Sequence, residues 1–265
     1  MAKIGIVGSG SWGIALAVLL YNNGHHVSVW SALPEEITEM KTTGRHHTLP
    51  DLVLPDGMMF TESLEEVMKD KDVLVTAVPS VYVRSTAQKM KPYCREGQII
   101  VNVAKGIEES TLKTLSEILE EELPMADVAV LSGPSHAEEV SKGLPTTCVA
   151  GAHSKKTAEY VQSVFMSEAF RVYTSPDMQG IELGGSLKNV IALAAGYVLT
   201  LILTKTGLAP AALMDMGKIA NHGWVEIPNF VLPQFDLKAI GMIAPIAIEN
   251  GLRFAIREGG RTVGS

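Results

Sequence analysis

Cysteine is scarce in this chain. Only Cys94 and Cys148 occur, too far apart for metal-ligand spacing and too few for a disulfide framework. Lysine and arginine are nowhere concentrated: 22 basic against 29 acidic residues give a formal charge of −7, so no dense run of cations is offered to nucleic-acid phosphates. Long apolar runs are also missing. The longest, Val190 to Leu203, falls short of the roughly 20 residues that cross a bilayer. The opening MAKIGIVG enters a strand directly, without the basic and apolar parts of a secretion signal. These absences lead us to expect a cytoplasmic protein with no nucleic-acid partner, no membrane insertion and no metal.

What is present is apolar content of 46% over 265 residues, enough to bury one large core or two moderate ones. Runs rich in Val and Ile predict strands at Lys3–Val7, His26–Trp30, Val73–Ala77, Gln98–Val103 and Val128–Leu131. Helical periods fall between them at Ile14–Asn22, Pro34–Thr42, Ser80–Met90 and Thr111–Glu122. Alternating units with strands apolar on both faces imply a doubly wound α/β domain, a mostly parallel sheet of the Rossmann type covered by helices. The strand signal ends near Asp177, and Gln179–Leu203 reads as a long apolar helix. We therefore divide the chain into a dinucleotide-binding domain, 1–177, and an all-helical domain, 178–265. Beyond Thr204 the prolines at 210, 228, 233 and 245 interrupt any long helix.

The first strand runs straight into Gly8-Ser9-Gly10-Ser11-Trp12-Gly13 and then a helical run. In this G-x-G-x-x-G, Gly8 permits the tight turn, Gly10 admits a pyrophosphate to the backbone, and Gly13 lets the helix pack on the strand. A bare motif of this kind is weak evidence; its place at the first β-to-α turn makes it a dinucleotide site. The second strand should end at the adenosine ribose, where a carboxylate would favour NAD. Here it ends Val29-Trp30-Ser31-Ala32, and no acid appears before Glu35. NADP stays open: Ser31 could bond a phosphate oxygen, and Arg45 is either a countercharge or a solvated surface residue. Ala77-Val78-Pro79-Ser80, after the fourth strand, is either a plain turn or a lining of the nicotinamide-side ribose.

Reduction of a ketone needs a proton donor at the carbonyl oxygen, and a phosphorylated substrate needs cations; lysine serves both. Lys105, after Asn102-Val103-Ala104, and Lys188, in Leu183-Gly184-Gly185-Ser186-Leu187-Lys188, each sit among small or apolar residues. A snorkelling side chain is the plainer account of Lys188 taken alone. Desolvation in a closed cleft lowers an ammonium's pKa toward neutrality, which suits reversible proton exchange.

The segments VGSGSWG, AVPS, NVAKGIE, LSGPSHAEE and ELGGSLKNVIALAAG, in this order and spacing, closely resemble bacterial NAD(P)-dependent glycerol-3-phosphate dehydrogenase, almost continuously from residue 1 to about Gly196. The resemblance implies reduction of dihydroxyacetone phosphate to sn-glycerol 3-phosphate with NAD(P)H, feeding membrane phospholipid synthesis. It makes Lys188 the proton acceptor in the oxidative direction and Lys105 a contact to both cofactor and substrate. It further implies substrate contacts at Gly133 and Ser135 and cofactor contacts at Ser11, Trp12 and Ala137. Gly133-Pro134 alone could be a mere turn, and His136 reads as a helix start. The pairs His25-His26 and His46-His47 read as surface residues at loop edges, without a carboxylate arrangement that suggests metal. A homodimer is left open.

After Gly196 the resemblance breaks. The family continues with a Gly-x-Gly-Asp-Leu segment and a Ser-Arg-Asn phosphate cluster, whereas this chain has Gly241-Met242-Ile243 and Glu249-Asn250-Gly251-Leu252-Arg253. The chain also ends before the family's final helices would. Two other readings therefore stand beside the first: a related two-domain dehydrogenase of a small hydroxy acid, and a cofactor-binding module without catalysis.

Overall fold

A computed structural model describes residues 1–188, 256–258 and 261–264. The readings made for 189–255, including most of the long apolar helix and the segments around Gly241 and Asn250, lie outside the described residues. Met1–Ser186 form one compact unit and Leu187–Ser265 a second.

In the first unit, strands β1 (Lys3–Val7), β2 (His26–Trp30), β3 (Met59–Thr61), β4 (Val73–Thr76), β5 (Ile99–Asn102), β6 (Asp127–Ser132), β7 (Thr146–Ala152) and β8 (Phe170–Ser175) form one sheet in the order β3-β2-β1-β4-β5-β6-β7-β8. All neighbours are parallel except β6 and β7. The chain leaves β1 for β2 on one side and later reaches β4 on the other, which opens a crevice at the carboxyl ends of β1 and β4.

Helices cover both faces because successive strand residues point to opposite sides. Ile4 and Ile6 of β1 join a core with α1 (Ser11–Asn22), α2 (Pro34–Thr43), α6 (Ala137–Ser141) and α7 (Lys155–Phe165). Val7 joins the opposite core with α3 (Leu64–Met68), α4 (Val83–Met90) and α5 (Leu115–Glu122). Phe165 and Ile4, both fully buried, belong to the first. Each such side chain stabilises the fold by about 1.5–3 kcal/mol relative to exposure.

Three helix boundaries differ from the sequence expectation, each for a local reason. The first helix begins at Ser11, not Ile14, because the glycine motif supplies its first turn. Ser80–Tyr82 is a turn of 3₁₀ helix, and the α-helix starts at Val83. The segment from Thr111 is a turn, with Leu112 at φ 59° and a bridge from Ile107 to Thr114. Helix α5 then starts on a capping box in which Thr114 and Glu117 satisfy each other's backbone N–H.

After β8, residues 178–188 form a helix. In the second unit, β9 (Ile256–Glu258) and β10 (Arg261–Gly264) pair antiparallel. These seven residues depart from the all-helical expectation. Among the described residues no helix is long and apolar enough to cross a membrane.

Candidate functional site

The glycine turn sits at the crevice. Gly8 has φ 119°, and a Cβ there would lie 2.7 Å from the Ala77 carbonyl carbon and 2.8 Å from the Val78 nitrogen, so only glycine fits where β1 passes the end of β4. Gly10 faces open space, and a Cβ on Gly13 would strike the Gly8 carbonyl. Helix α1 starts with no side-chain cap and no acidic residue in its first turn. Its amino-terminal N–H groups and positive dipole end are thereby left for an anion. Trp12, inside the motif, has a buried indole Nε1 with no protein partner among the described residues. A turn open at Gly10, an uncapped helix start and an orphaned donor together fit a dinucleotide's pyrophosphate.

A second group of residues gathers at the carboxyl ends of β4, β5 and β6. A Cβ on Gly106, whose φ is 150°, would lie 2.8 Å from the Ser80 hydroxyl, so the Lys105-Gly106 turn runs against the Pro79-Ser80 turn. Lys105 Nζ donates to the Gly133 carbonyl at 2.9 Å, and the Ser135 hydroxyl donates to the same oxygen at 3.3 Å. Gly133 is glycine because β7 passes there: a Cβ would lie 2.9 Å from the Cys148 Cα. Cys148 is fully buried, and burial pushes its thiol up to about 11, against the opposing pull of the nearby Lys105. Ala137, fully buried, opens α6.

The structure thus brings Gly8, Gly10, Ser11, Trp12 and Gly13 together at one turn, and Pro79, Lys105, Gly133 and Ser135 at the neighbouring strand ends. Ser31, at the end of β2, is 3% exposed and donates its hydroxyl to Glu36 Oε2 at 2.7 Å. Lys188 is half-buried on the helix of 178–188 and belongs to the second unit.

Several residues that shape this region were missed by the sequence reading. Glu182, 5% exposed, accepts from the Asn102 amide and from the Ser116 backbone N–H, each at 3.0 Å, and from the Ser116 hydroxyl. Asn102 in turn bonds both backbone groups of Ala104, fixing the turn that carries Lys105. Gly106 N–H donates to the Ser186 hydroxyl at 3.0 Å, and a Cβ on Gly185 would meet the Ser132 hydroxyl at 2.6 Å. That hydroxyl is buried and has no protein partner among the described residues. An acid inside the otherwise small and apolar ELGGS was the available signal.

The histidine reading needs one correction. His46 is not a surface residue: it is 1% exposed, because Leu49 beside it joins the core and draws the turn inward. A carboxylate is also near, since Glu36, His46 and His47 present ligand atoms within 4.8 Å of one another.

The residues 3–158, which contain the glycine turn and the Lys105 and Gly133 turns, match a sequence model of the family described as NAD-dependent glycerol-3-phosphate dehydrogenase N-terminus. The chain belongs to this glycerol-3-phosphate dehydrogenase family. A relative from Agathobacter rectalis, glycerol-3-phosphate dehydrogenase [NAD(P)+], is 61% identical over 197 residues, covering 74% of this chain and 59% of that one. One of the same name from Moorella thermoacetica is 47% identical over 240 residues, covering 90% of this chain and 71% of the other. Among solved structures, glycerol-3-phosphate dehydrogenase from Coxiella burnetii superposes with a TM-score of 0.71 at 31% identity, covering 83% of this chain and 69% of that one. The chain spans 59% of the length of the first two glycerol-3-phosphate dehydrogenases it matches.

Proposed function

We propose that this chain reduces dihydroxyacetone phosphate to sn-glycerol 3-phosphate with NAD(P)H, reversibly, in the cytoplasm, supplying the phosphorylated backbone of membrane lipids. The observation that carries the reading is the meeting of Lys105, Gly133 and Ser135 at strand ends next to a glycine turn that fits a pyrophosphate. When bound, the dinucleotide supplies the hydride. The chain's own residues do the rest. Gly8, Gly10 and Gly13 shape the turn, Ser11 and Trp12 line it, and Pro79, Ala137 and Ser31 border the cofactor.

Lys105 holds its ammonium between cofactor and substrate, with Gly133 and Ser135 presenting the polar wall against which the substrate rests. Lys188 gives a proton to the C2 oxygen on reduction and takes it back on oxidation; a positioned acid-base group of this kind contributes about 10²–10⁴-fold in rate. The dinucleotide-binding domain extends over 1–177, and the part from 178 on contributes Lys188.

The test is turnover. Purified protein should oxidise the reduced cofactor on addition of dihydroxyacetone phosphate, and Lys188→Ala should abolish this while leaving cofactor affinity nearly intact. A Lys188→Ala enzyme with normal kcat would remove Lys188 from the mechanism. A second reading, a cofactor-binding module without catalysis, draws on the departure of 197–265 from the family's phosphate-binding segments; cofactor binding with no turnover would favour it.

A further inference from the structure

We propose that Glu36 makes this chain select NAD(H) against NADP(H) by placing a carboxylate where the 2′-phosphate would sit. The proposal rests on the dinucleotide reading of the glycine turn and names what that site accepts.

In a doubly wound sheet the adenosine ribose lies at the carboxyl end of the second strand. Here β2 ends at Trp30. The next residue, Ser31, points its hydroxyl at Glu36 Oε2, and Ser9, inside the glycine turn, donates its hydroxyl to the same oxygen. Both serines are buried, at 4% and 3% exposure. Glu36 is therefore tied at once to the turn that faces the pyrophosphate and to the strand end that faces the ribose.

Two consequences follow for a ligand. The hydroxyls of Ser9 and Ser31 are spent on the carboxylate, so neither is a ready donor to a phosphate oxygen. The carboxylate itself accepts only, which suits a ribose hydroxyl and repels a phosphate dianion.

Among the described residues no lysine or arginine pairs with Glu36, and His47, of the same cluster, is exposed and turns to Glu39. Arg45 is exposed and turns its guanidinium onto the Pro50 carbonyl within its own loop. Lys41 is exposed on α2, whose first turn adds Glu35. His46 lies near Glu36, but its Nδ1 accepts from the Thr48 backbone N–H at 3.3 Å, which places its proton on Nε2. Burial holds its pKa below the ordinary histidine value, so the ring is neutral near pH 7. Its buried Nε2 has no protein partner among the described residues. The ring therefore adds no positive charge beside the carboxylate.

The experiment is a binding titration, independent of turnover. NADH and NADPH are titrated into the full chain at pH 7.5 and fixed ionic strength, following nicotinamide fluorescence and the quenching of Trp12 and Trp30. Wild type should bind NADH more tightly by on the order of tenfold to a hundredfold, the range expected for one unscreened charge near a dianion. Glu36→Gln should erase most of that ratio by strengthening NADPH. Ala32→Arg, at an exposed position that leaves the Glu36 contacts in place, should raise NADPH affinity even where Glu36→Gln folds poorly. Binding of both dinucleotides with equal strength, or an NADH-to-NADPH ratio unchanged in both variants, overturns the Glu36 assignment alone. Binding of neither overturns it together with the dinucleotide reading beneath it.

Discussion

Replacing Glu182 by alanine should destabilise the first unit by about 3–5 kcal/mol. The carboxylate is 5% exposed and accepts from three donors, two of which belong to Ser116 at the start of α5. The Asn102 amide retains a bond to the Ala104 carbonyl, and the Ser116 hydroxyl can turn to Thr114, 3.2 Å away. The Ser116 backbone N–H loses its acceptor in the second position of a helix, and an orphaned buried donor costs about 1–3 kcal/mol. Loss of the negative charge at the helix start adds about 0.3–1 kcal/mol, and loss of the two side-chain bonds to a charged acceptor adds the remainder. Glu182→Gln keeps one acceptor oxygen for the Asn102 and Ser116 N–H groups, and its amide can donate to the Ser116 hydroxyl. It should cost about 1–2 kcal/mol. Urea unfolding followed by tryptophan fluorescence measures both. A Glu182→Ala protein within 1 kcal/mol of wild type, or a glutamine variant as unstable as the alanine one, would refute this account of the buried carboxylate.

Gly13→Ala should abolish dinucleotide binding and lower the melting temperature, since the new methyl would strike the Gly8 carbonyl and lie 3.1 Å from the Ala77 Cβ; unchanged cofactor affinity by titration would contradict the packing argument. Acid stability should depend on Arg84, which pairs with Glu108, Glu121 and Glu122. The hydrogen bonds from Arg84 hold the Glu108 carboxyl down at about 2, against 4.5 ordinarily. A depressed folded-state pKa stabilises above the unfolded value, and that contribution is lost as pH falls from about 4.5 toward 2. The urea midpoint of wild type should therefore fall more steeply over this window than that of Arg84→Met; parallel curves would show that the cluster does not titrate with folding.

The central strands were legible because continuous Val and Ile runs have few alternatives: β1 and β2 have the bounds expected from sequence. The strands toward the two edges of the sheet were not. β3 is three residues long, β7 is built of small residues in TTCVAGA, and β8 alternates as an edge strand should. None of these produces a long apolar run. Helix α7 did carry a signal, Ser154 as cap followed by Ala158, Val161, Val164 and Phe165 on one face.

The glycine turn was readable because its geometry excludes other residues. Glu36 was not, since sequence shows only that acids occur after β2, and folding decides that the second of the adjacent pair reaches back to Ser31. Glu182 stood out only as an acid among small residues; its partners Asn102 and Ser116 are 80 and 66 positions distant.

The single reversal of direction in the sheet, between β6 and β7, has an effect on how this crevice can vary. In a wholly parallel sheet only strand endings border the ligand, and strand beginnings are remote from it. Here Thr147 and Cys148, two residues into β7, abut Gly133. Side-chain size at the opening of a strand thus bears on the carbonyl that Lys105 holds, so drift at position 148 would shift the Gly133 turn from behind without replacing any residue proposed to meet the substrate.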